Sequence, residues 1–253
     1  MPRYIIDIRY KGTAYAGWQV QPNATTVQGE VDRALQTLLR KPVTTYGAGR
    51  TDAGVHALKL PAHFDYEAPL HSHFQKAMNG LLPRDIAIMQ TYQAAEPQFH
   101  TRFDAIRRAY RYQIIPQKDP LMYQKACWFK EKLALDLMQK GAKTIMEHDS
   151  FESFCKSNAN NKTFFCKIVK SEFIWEGETL VYHVHADRFL RGMVRAIVGT
   201  LLEIGRGKIP LENLKNILAA KDRKQAGPAV TPGGLYLSEV HYPADTLIPL
   251  EMQ

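Results

Sequence analysis

The order in which strand-like and helix-like periods alternate restricts this chain more than any other feature of the sequence. From Arg3 to Tyr10, Tyr4, Ile6, Ile8 and Tyr10 fall on one face and Asp7 and Arg9 on the other, the two-residue period of a half-buried strand. A loop rich in Gly, Ala and aromatics runs to Asn23. Val27, Val31, Ala34, Leu35 and Leu38 then recur at helical spacing over 27–39, behind a Thr25 or Thr26 cap and ahead of Pro42. Extended Val43–Tyr46 and Val55–Phe64 flank a glycine-rich loop, Phe74–Leu82 reads as a short helix stopped by Gly80 and Pro83, and Ile86–Gln93 reads as another strand. Strand–helix–strand–strand–helix–strand is the ferredoxin-like order, built on an antiparallel sheet.

Phe99–Asp104 is a linker candidate, and the α+β logic then repeats. Arg107–Ile115 is a strand with Tyr110, Tyr112 and Ile114 on one face and Ala109, Arg111 and Gln113 on the other. Pro116–Tyr123 is a loop and Leu133–Met146 an amphipathic helix. Thr163–Trp175 and Thr179–Ala186 form a hairpin around Glu176-Gly177-Glu178. Phe189–Leu202 is a mostly apolar helix closed by Gly205-Arg206-Gly207; Pro210 opens another over Leu211–Ala220, and Leu235–Val240 is a final strand. A chain of 253 residues is comfortable for two domains, and the expected division is 1–104 and 105–253.

The chemistry concentrates in the loop Gly47-Ala48-Gly49-Arg50-Thr51-Asp52-Ala53-Gly54-Val55-His56-Ala57. Its glycines permit positive φ and the close approach of a bulky ligand. Asp52 is the loop's only acid, two residues from Arg50. A carboxylate beside a fixed guanidinium stays ionised and can serve as nucleophile or base. A tight turn in which Asp52 caps backbone N–H groups and pairs with Arg50 explains the same residues, and both readings stay open. The loop fails the Gly-x-Gly-x-x-Gly fingerprint, and no Gly-x-x-x-x-Gly-Lys-Ser/Thr run occurs, so nucleotide-cofactor folds lose their main support.

Net charge is +8, which suits a polyanionic partner. Cys127, Cys155 and Cys166 are too few and too widely spaced for a disulfide framework or a structural zinc site. His71-Ser72-His73 and His183-Val184-His185 lack a completing carboxylate or cysteine, so no metal is expected. No signal peptide and no membrane-length apolar stretch is seen, and the expected compartment is the reducing cytoplasm.

The loop resembles the signature of the bacterial TruA-type tRNA pseudouridine synthases. Further segments agree in the family's order: Tyr10-Lys11-Gly12-Thr13-Ala14-Tyr15-Ala16-Gly17-Trp18-Gln19, Phe99-His100-Thr101-Arg102-Phe103, Tyr110-Arg111-Tyr112, Phe189 through Gly199, and Gly234-Leu235-Tyr236-Leu237. The resemblance covers nearly the whole chain. It implies two ferredoxin-like domains with joined antiparallel sheets and a basic cleft, and a homodimer. It also implies conversion of uridine to pseudouridine at positions 38, 39 and 40 of the tRNA anticodon arm, with no cofactor. Asp52 is then the catalytic carboxylate, Tyr110 lines the uracil pocket, Arg50 fills the space left by the flipped base, and Arg195 pairs with Asp52. The family often has Arg-Arg-Tyr where this chain reads Arg107-Arg108-Ala109-Tyr110, which puts one basic contact in doubt.

On residue chemistry alone, Tyr110 is either a base-stacking ring or part of a strand's buried face, and Tyr112 fits the buried face better. Arg195 sits on an apolar helix, where a charge needs a partner. Arg102, Arg107, Arg108, Arg111, Arg188 and Arg191 are candidate phosphate contacts. Two alternatives stand beside the synthase: a glycosylase that cuts the same bond and lets water finish, and a silent RNA-binding protein.

Overall fold

The computed structural model describes residues 1–157 and 162–251. Its strands and helices, in chain order, are β1 (Arg3–Tyr10), α1 (Val27–Leu39), β2 (Tyr46–Gly47), β3 (His56–Asp65), α2 (Phe74–Leu81), β4 (Ile86–Ala94), β5 (Arg107–Ile115), β6 (Cys127–Trp128), α3 (Leu135–Met146), β7 (Ile168–Glu176), β8 (Thr179–Ala186), α4 (Met193–Gly205), α5 (Asn213–Ala220), β9 (Leu235–His241) and β10 (Leu247–Pro249). The protein is mixed α/β, with mostly antiparallel strand pairing. Two compact units divide it: Met1–Ile106 with Leu237–Gln253, and Arg107–Tyr236.

In the first unit the strand order is β10–β4–β1–β3, with β2 on the outer side of β3 and every pairing antiparallel. The Thr26 side chain caps α1 by accepting from the Gly29 N–H, a contact worth about 1 kcal/mol. Val27, Val31 and Leu35 of α1 are fully buried, as are Phe64 of β3 and Met78 of α2. The Phe64 and Phe74 rings stack at 6.1 Å.

Strand β1 departs from the half-buried pattern, because Ile5 and Asp7, on the face expected to be wet, are buried as well. Ile5 packs with Ala94 and Phe99, and Tyr242 and Leu247 cover them from the C-terminal segment. That segment, grouped by sequence order with the second half, pairs through β10 with β4. Asp7 is held by Lys59 at 3.1 Å and by the Tyr92 hydroxyl at 3.1 Å, and burial raises its pKa. The expected strand over Val43–Tyr46 shortens to Tyr46–Gly47. The Thr45 N–H donates to Asp32 Oδ1 and its carbonyl accepts from Gln28, so side chains of α1 satisfy the backbone there instead of a ladder.

In the second unit the order is β5–β8–β7, antiparallel, with β6 adding a short parallel pairing to β5. Tyr112 and Tyr182 are fully buried opposite one another, the Tyr112 hydroxyl donating to the Thr231 carbonyl at 3.0 Å. This matches the buried-face reading of Tyr112. Helix α4 starts at Met193 rather than Phe189, because Gly192 adopts φ +71° and breaks the helical path. The helix is apolar nearly all round and buried accordingly.

His63, on β3, supplies a pH test of the first unit. It is 2% exposed, and its Nδ1 lies 2.9 Å from Thr101 Oγ1, which donates its one proton to the Tyr46 carbonyl at 2.7 Å. The Thr101 N–H also approaches His63 Nδ1, at 3.4 Å. Burial first, and then Arg3 and His100, push its pKa down to about 4, while Asp65 and Asp104 pull the other way. Folding therefore favours the neutral ring; the stabilisation is complete above pH 6.5 and is lost as the pH falls towards 4. In His63→Asn the side-chain amide reaches the same hydroxyl without titrating. Thermal melts from pH 7 to pH 4 should show a shallower loss of Tm in His63→Asn than in the wild type.

Candidate active site

The glycine loop leaves the sheet after β2, whose Tyr46 and Gly47 pair with His63 and Ala62, and it rejoins the sheet at His56. The Ala48 N–H donates to the Pro61 carbonyl at 2.8 Å, fixing the exit. The Val55 N–H donates to the Asp52 carbonyl at 3.1 Å, closing a turn whose third residue, Gly54, has φ +77°. A type II turn requires that left-handed conformation, so Gly54 answers the expectation of positive φ. Gly47 and Gly49 do not have positive φ. A Cβ at Gly47 would lie 2.7 Å from the Trp18 indole, so this glycine is a packing requirement, whereas Gly49 faces open space.

What the sequence did not reveal is how much of the N-terminal aromatic segment exists to hold this loop. The Trp18 N–H donates to the Thr51 carbonyl at 3.2 Å, the Gly54 N–H to the Tyr15 carbonyl at 3.3 Å, and the Gly12 N–H to His56 Nδ1 at 2.9 Å. The Tyr10 hydroxyl meets Thr51 Oγ1 at 2.7 Å, and the Tyr10 and Trp18 rings stack at 6.4 Å. Tyr15 is anchored by its hydroxyl to Asp85 at 2.5 Å; burial and that carboxylate raise its pKa. Gly12 and Gly17 permit the approach: a Cβ at Gly12 would sit 1.9 Å from the Val55 carbonyl oxygen, and one at Gly17 2.5 Å from that of Thr51. Two glycines amid three aromatics, Tyr10, Tyr15 and Trp18, were the available signal. Their effect is to bury Thr51 while Asp52 is left half-buried and Arg50 exposed. A loop bonded on both sides of Asp52 presents one carboxylate from a fixed backbone, the arrangement a nucleophile or base needs.

Arg102 is exposed, its guanidinium 5.6 Å from the centre of the Phe103 ring. In the second unit, Tyr110 is half-buried with its ring edge-on to Phe189 at 5.0 Å. Arg108 donates to the Asp187 carbonyl at 2.8 Å, and the Asp187 carboxylate accepts from the N–H groups of Lys167 and Arg188. Tyr110, Arg108 and the 187–189 turn are thus gathered at one end of β5. Arg195 is half-buried on α4 and donates through Nε to the Val230 carbonyl at 2.8 Å, so a backbone carbonyl takes part of its charge. Arg191 is exposed, its carbonyl accepting from the Lys156 N–H.

Arg107 and Arg111 alternate with Tyr110 along β5 and project from the opposite face. Arg111 pairs with Glu176 at 2.6 Å, and Glu176 also meets His183 at 2.9 Å. The structure therefore does not gather all the candidate arginines on the side that carries Tyr110.

A sequence model of the tRNA pseudouridine synthases matches residues 147–243. The chain is also 42% identical over 253 residues to tRNA pseudouridine synthase A of Parabacteroides distasonis, covering 99% of this chain and 100% of that one. The protein of the same name from Bacteroides thetaiotaomicron is 44% identical over 249 residues, covering 97% of this chain and 92% of its own. The chain belongs to the tRNA pseudouridine synthase A family. With that family it is an isomerase. The match to the tRNA pseudouridine synthase model takes in Arg188, Arg191 and Arg195, and the full-length likeness to the synthase A proteins extends across the glycine loop. Syntrophomonas wolfei has a further member, 39% identical with 97% and 100% covered. Among the described residues, no helix is long and apolar enough to cross a membrane.

Proposed function

We propose that this enzyme isomerises uridine to pseudouridine in the anticodon stem-loop of tRNA, at positions 38, 39 and 40, with Asp52 as the catalytic carboxylate. The observation that carries the reading is the fixed loop. Asp52 is its single acid, braced by backbone bonds from Trp18, Gly54 and Val55, in a chain with full-length likeness to tRNA pseudouridine synthases. The reaction breaks N1–C1′, turns the uracil and joins C5 to C1′, and the proton on C5 leaves as N1 gains one. Atoms and electrons balance within the nucleotide, so the isomerisation calls for no redox partner or co-substrate.

A base within a stem must first leave the stack, which costs a few kcal/mol. Arg50, exposed beside Asp52, fills the space it vacates, Tyr110 packs on the uracil, and Arg195 orients Asp52. Asp52 then attacks C1′, adds to C6 or removes the C2′ proton; each route needs an ionised carboxylate at the same place. Arg102, Arg108, Arg188 and Arg191 contribute phosphate contacts in a basic cleft, while Arg107 and Arg111, on the opposite face of β5 from Tyr110, do not. The strand order of the first unit, β4–β1–β3 with β2 outside, supports a ferredoxin-like architecture for it, and by the same reading the second unit is its partner domain. The enzyme works in the cytoplasm as a homodimer, and light scattering of the purified protein should return twice the chain mass.

Nucleoside analysis of an unmodified tRNA transcript after incubation tests the reading. Pseudouridine at positions 38–40 with no free uracil is expected; release of free uracil instead would make the enzyme a glycosylase. Tyr110→Phe keeps the ring and loses the hydroxyl, so tRNA affinity should stay within about threefold while the conversion rate falls about 10- to 100-fold, the cost of one buried hydrogen bond. Single-turnover rates beside binding isotherms separate the two.

A further inference from the structure

We propose that Tyr46 and Phe103 are stacking platforms for unpaired bases of the substrate RNA, on either end of a rigid ladder of rings in the first unit. Tyr46 lies parallel to His63 at 5.2 Å, His63 meets His100 edge-on at 4.6 Å, and His100 meets Phe103 at 4.3 Å. The interior of the ladder is fixed and its ends are open: His63 is 2% exposed, Tyr46 54% and Phe103 72%.

The underside is clamped. Thr101 is fully buried; its hydroxyl donates to the Tyr46 carbonyl and its carbonyl accepts from the Tyr242 hydroxyl at 2.7 Å. Arg3 pairs with Asp65 through two contacts of 2.8 Å and donates to the Phe99 carbonyl. The His100 N–H donates to Asp104, and His100 Nδ1 accepts from the Arg102 N–H. Two large aromatic side chains exposed on so constrained a base lose little entropy when a flat ligand covers them.

Nucleobases are the occupant that fits best. Every base offers a π-face to an open ring. Arg102 sets a guanidinium over Phe103, supplying both a second stacking plane and a cation for the adjoining phosphate. Tyr46 also leads directly into Gly47 and the loop that presents Asp52, so the platform and the proposed catalytic carboxylate belong to one stretch of chain. The inference rests on the tRNA reading above and adds to it residues that hold unpaired bases of the same substrate.

The test is steady-state conversion of a tRNA transcript by Tyr46→Ala and Phe103→Ala, with Tyr46→Phe, Phe103→Trp and Phe103→Leu beside them. Because both side chains are exposed, melting temperatures should stay within about 2 °C of the wild type. Loss of one stacked base predicts a KM raised between about fivefold and about 150-fold at little-changed kcat. The aromatic variants should restore the wild-type KM and Phe103→Leu should not. The indole introduced by Phe103→Trp should be quenched on adding tRNA, beyond any change in the wild-type emission.

Unchanged KM in both alanine variants, with the wild type active, would overturn the platforms and leave the proposed function standing. Full rescue by Phe103→Leu would also overturn stacking, since it would show that an apolar contact of a protein-like kind suffices. If the wild type binds tRNA but converts none, the proposed function fails; indole quenching in Phe103→Trp then still decides the platform, its presence supporting it and its absence rejecting it.

Discussion

Asp52→Asn is expected to bind tRNA within about threefold of the wild type and to form pseudouridine at least about 10⁴-fold more slowly, the scale on which removal of a catalytic nucleophile registers. The substitution preserves size, and the turn at residues 52–55 is closed by the Asp52 carbonyl, not its carboxylate. The braces from Trp18 and Gly54 are likewise backbone bonds. The loop should therefore keep its course while losing its only carboxylate. Asp52→Glu should also fail, by a smaller margin, because an added methylene displaces the carboxylate by more than the tolerance of a near-attack geometry. Single-turnover conversion and filter binding on the same preparations separate loss of chemistry from loss of affinity.

The second large effect is structural and comes from outside the loop. Gly17 has φ +100°, and a Cβ there would meet the Thr51 carbonyl oxygen at 2.5 Å and the carbonyl carbon of Asp52 at 3.2 Å. Both neighbours are backbone, so neither can swing aside. Gly17→Ala combines an unfavourable φ with displacement of the residues that present Asp52, and a loss of about 2–4 kcal/mol is expected, or about 5–15 °C in Tm. Conversion should fall further than tRNA binding, because the moved atoms belong to the reacting loop. Gly49→Ala is the contrast: it is two residues closer in sequence to Thr51 than Gly47, yet its Cβ would meet nothing within 4 Å. Its Tm should stay within about 2 °C of the wild type. Calorimetry on the two variants shows whether close backbone approach, rather than glycine content, shapes this site.

These contrasts mark what the sequence could and could not disclose. Strand Arg3–Tyr10, helix Val27–Leu39 and strand Arg107–Ile115 occur with the bounds expected, because local period and end signals coincide there. Cys127–Trp128 and Leu247–Pro249 were not anticipated. Each is only two or three residues long, so neither can display a period, and Leu247–Pro249 is defined by a partner strand about 150 residues away. The same distance hid the covering of Ile5 by Tyr242 and Leu247, and with it the burial of both faces of β1. In the loop, the types of residue pointed to chemistry, but Gly12 and Gly17, which bring Tyr10–Trp18 against it, read only as part of a loop rich in Gly, Ala and aromatics. Alternation along β5 did separate Tyr110 from Arg111, although the arginine cluster, taken as a list, did not use that information.

Tritium release from tRNA carrying uridine labelled at C5, measured for the wild type beside Asp52→Ala, tests the central claim most directly. Only bond formation at C5 expels that label into water. The account predicts stoichiometric release by the wild type and none above background by Asp52→Ala, with tRNA bound by both. Near-normal release by Asp52→Ala would remove Asp52 from the chemistry, and a wild type that binds tRNA without releasing tritium would contradict the isomerase reading itself.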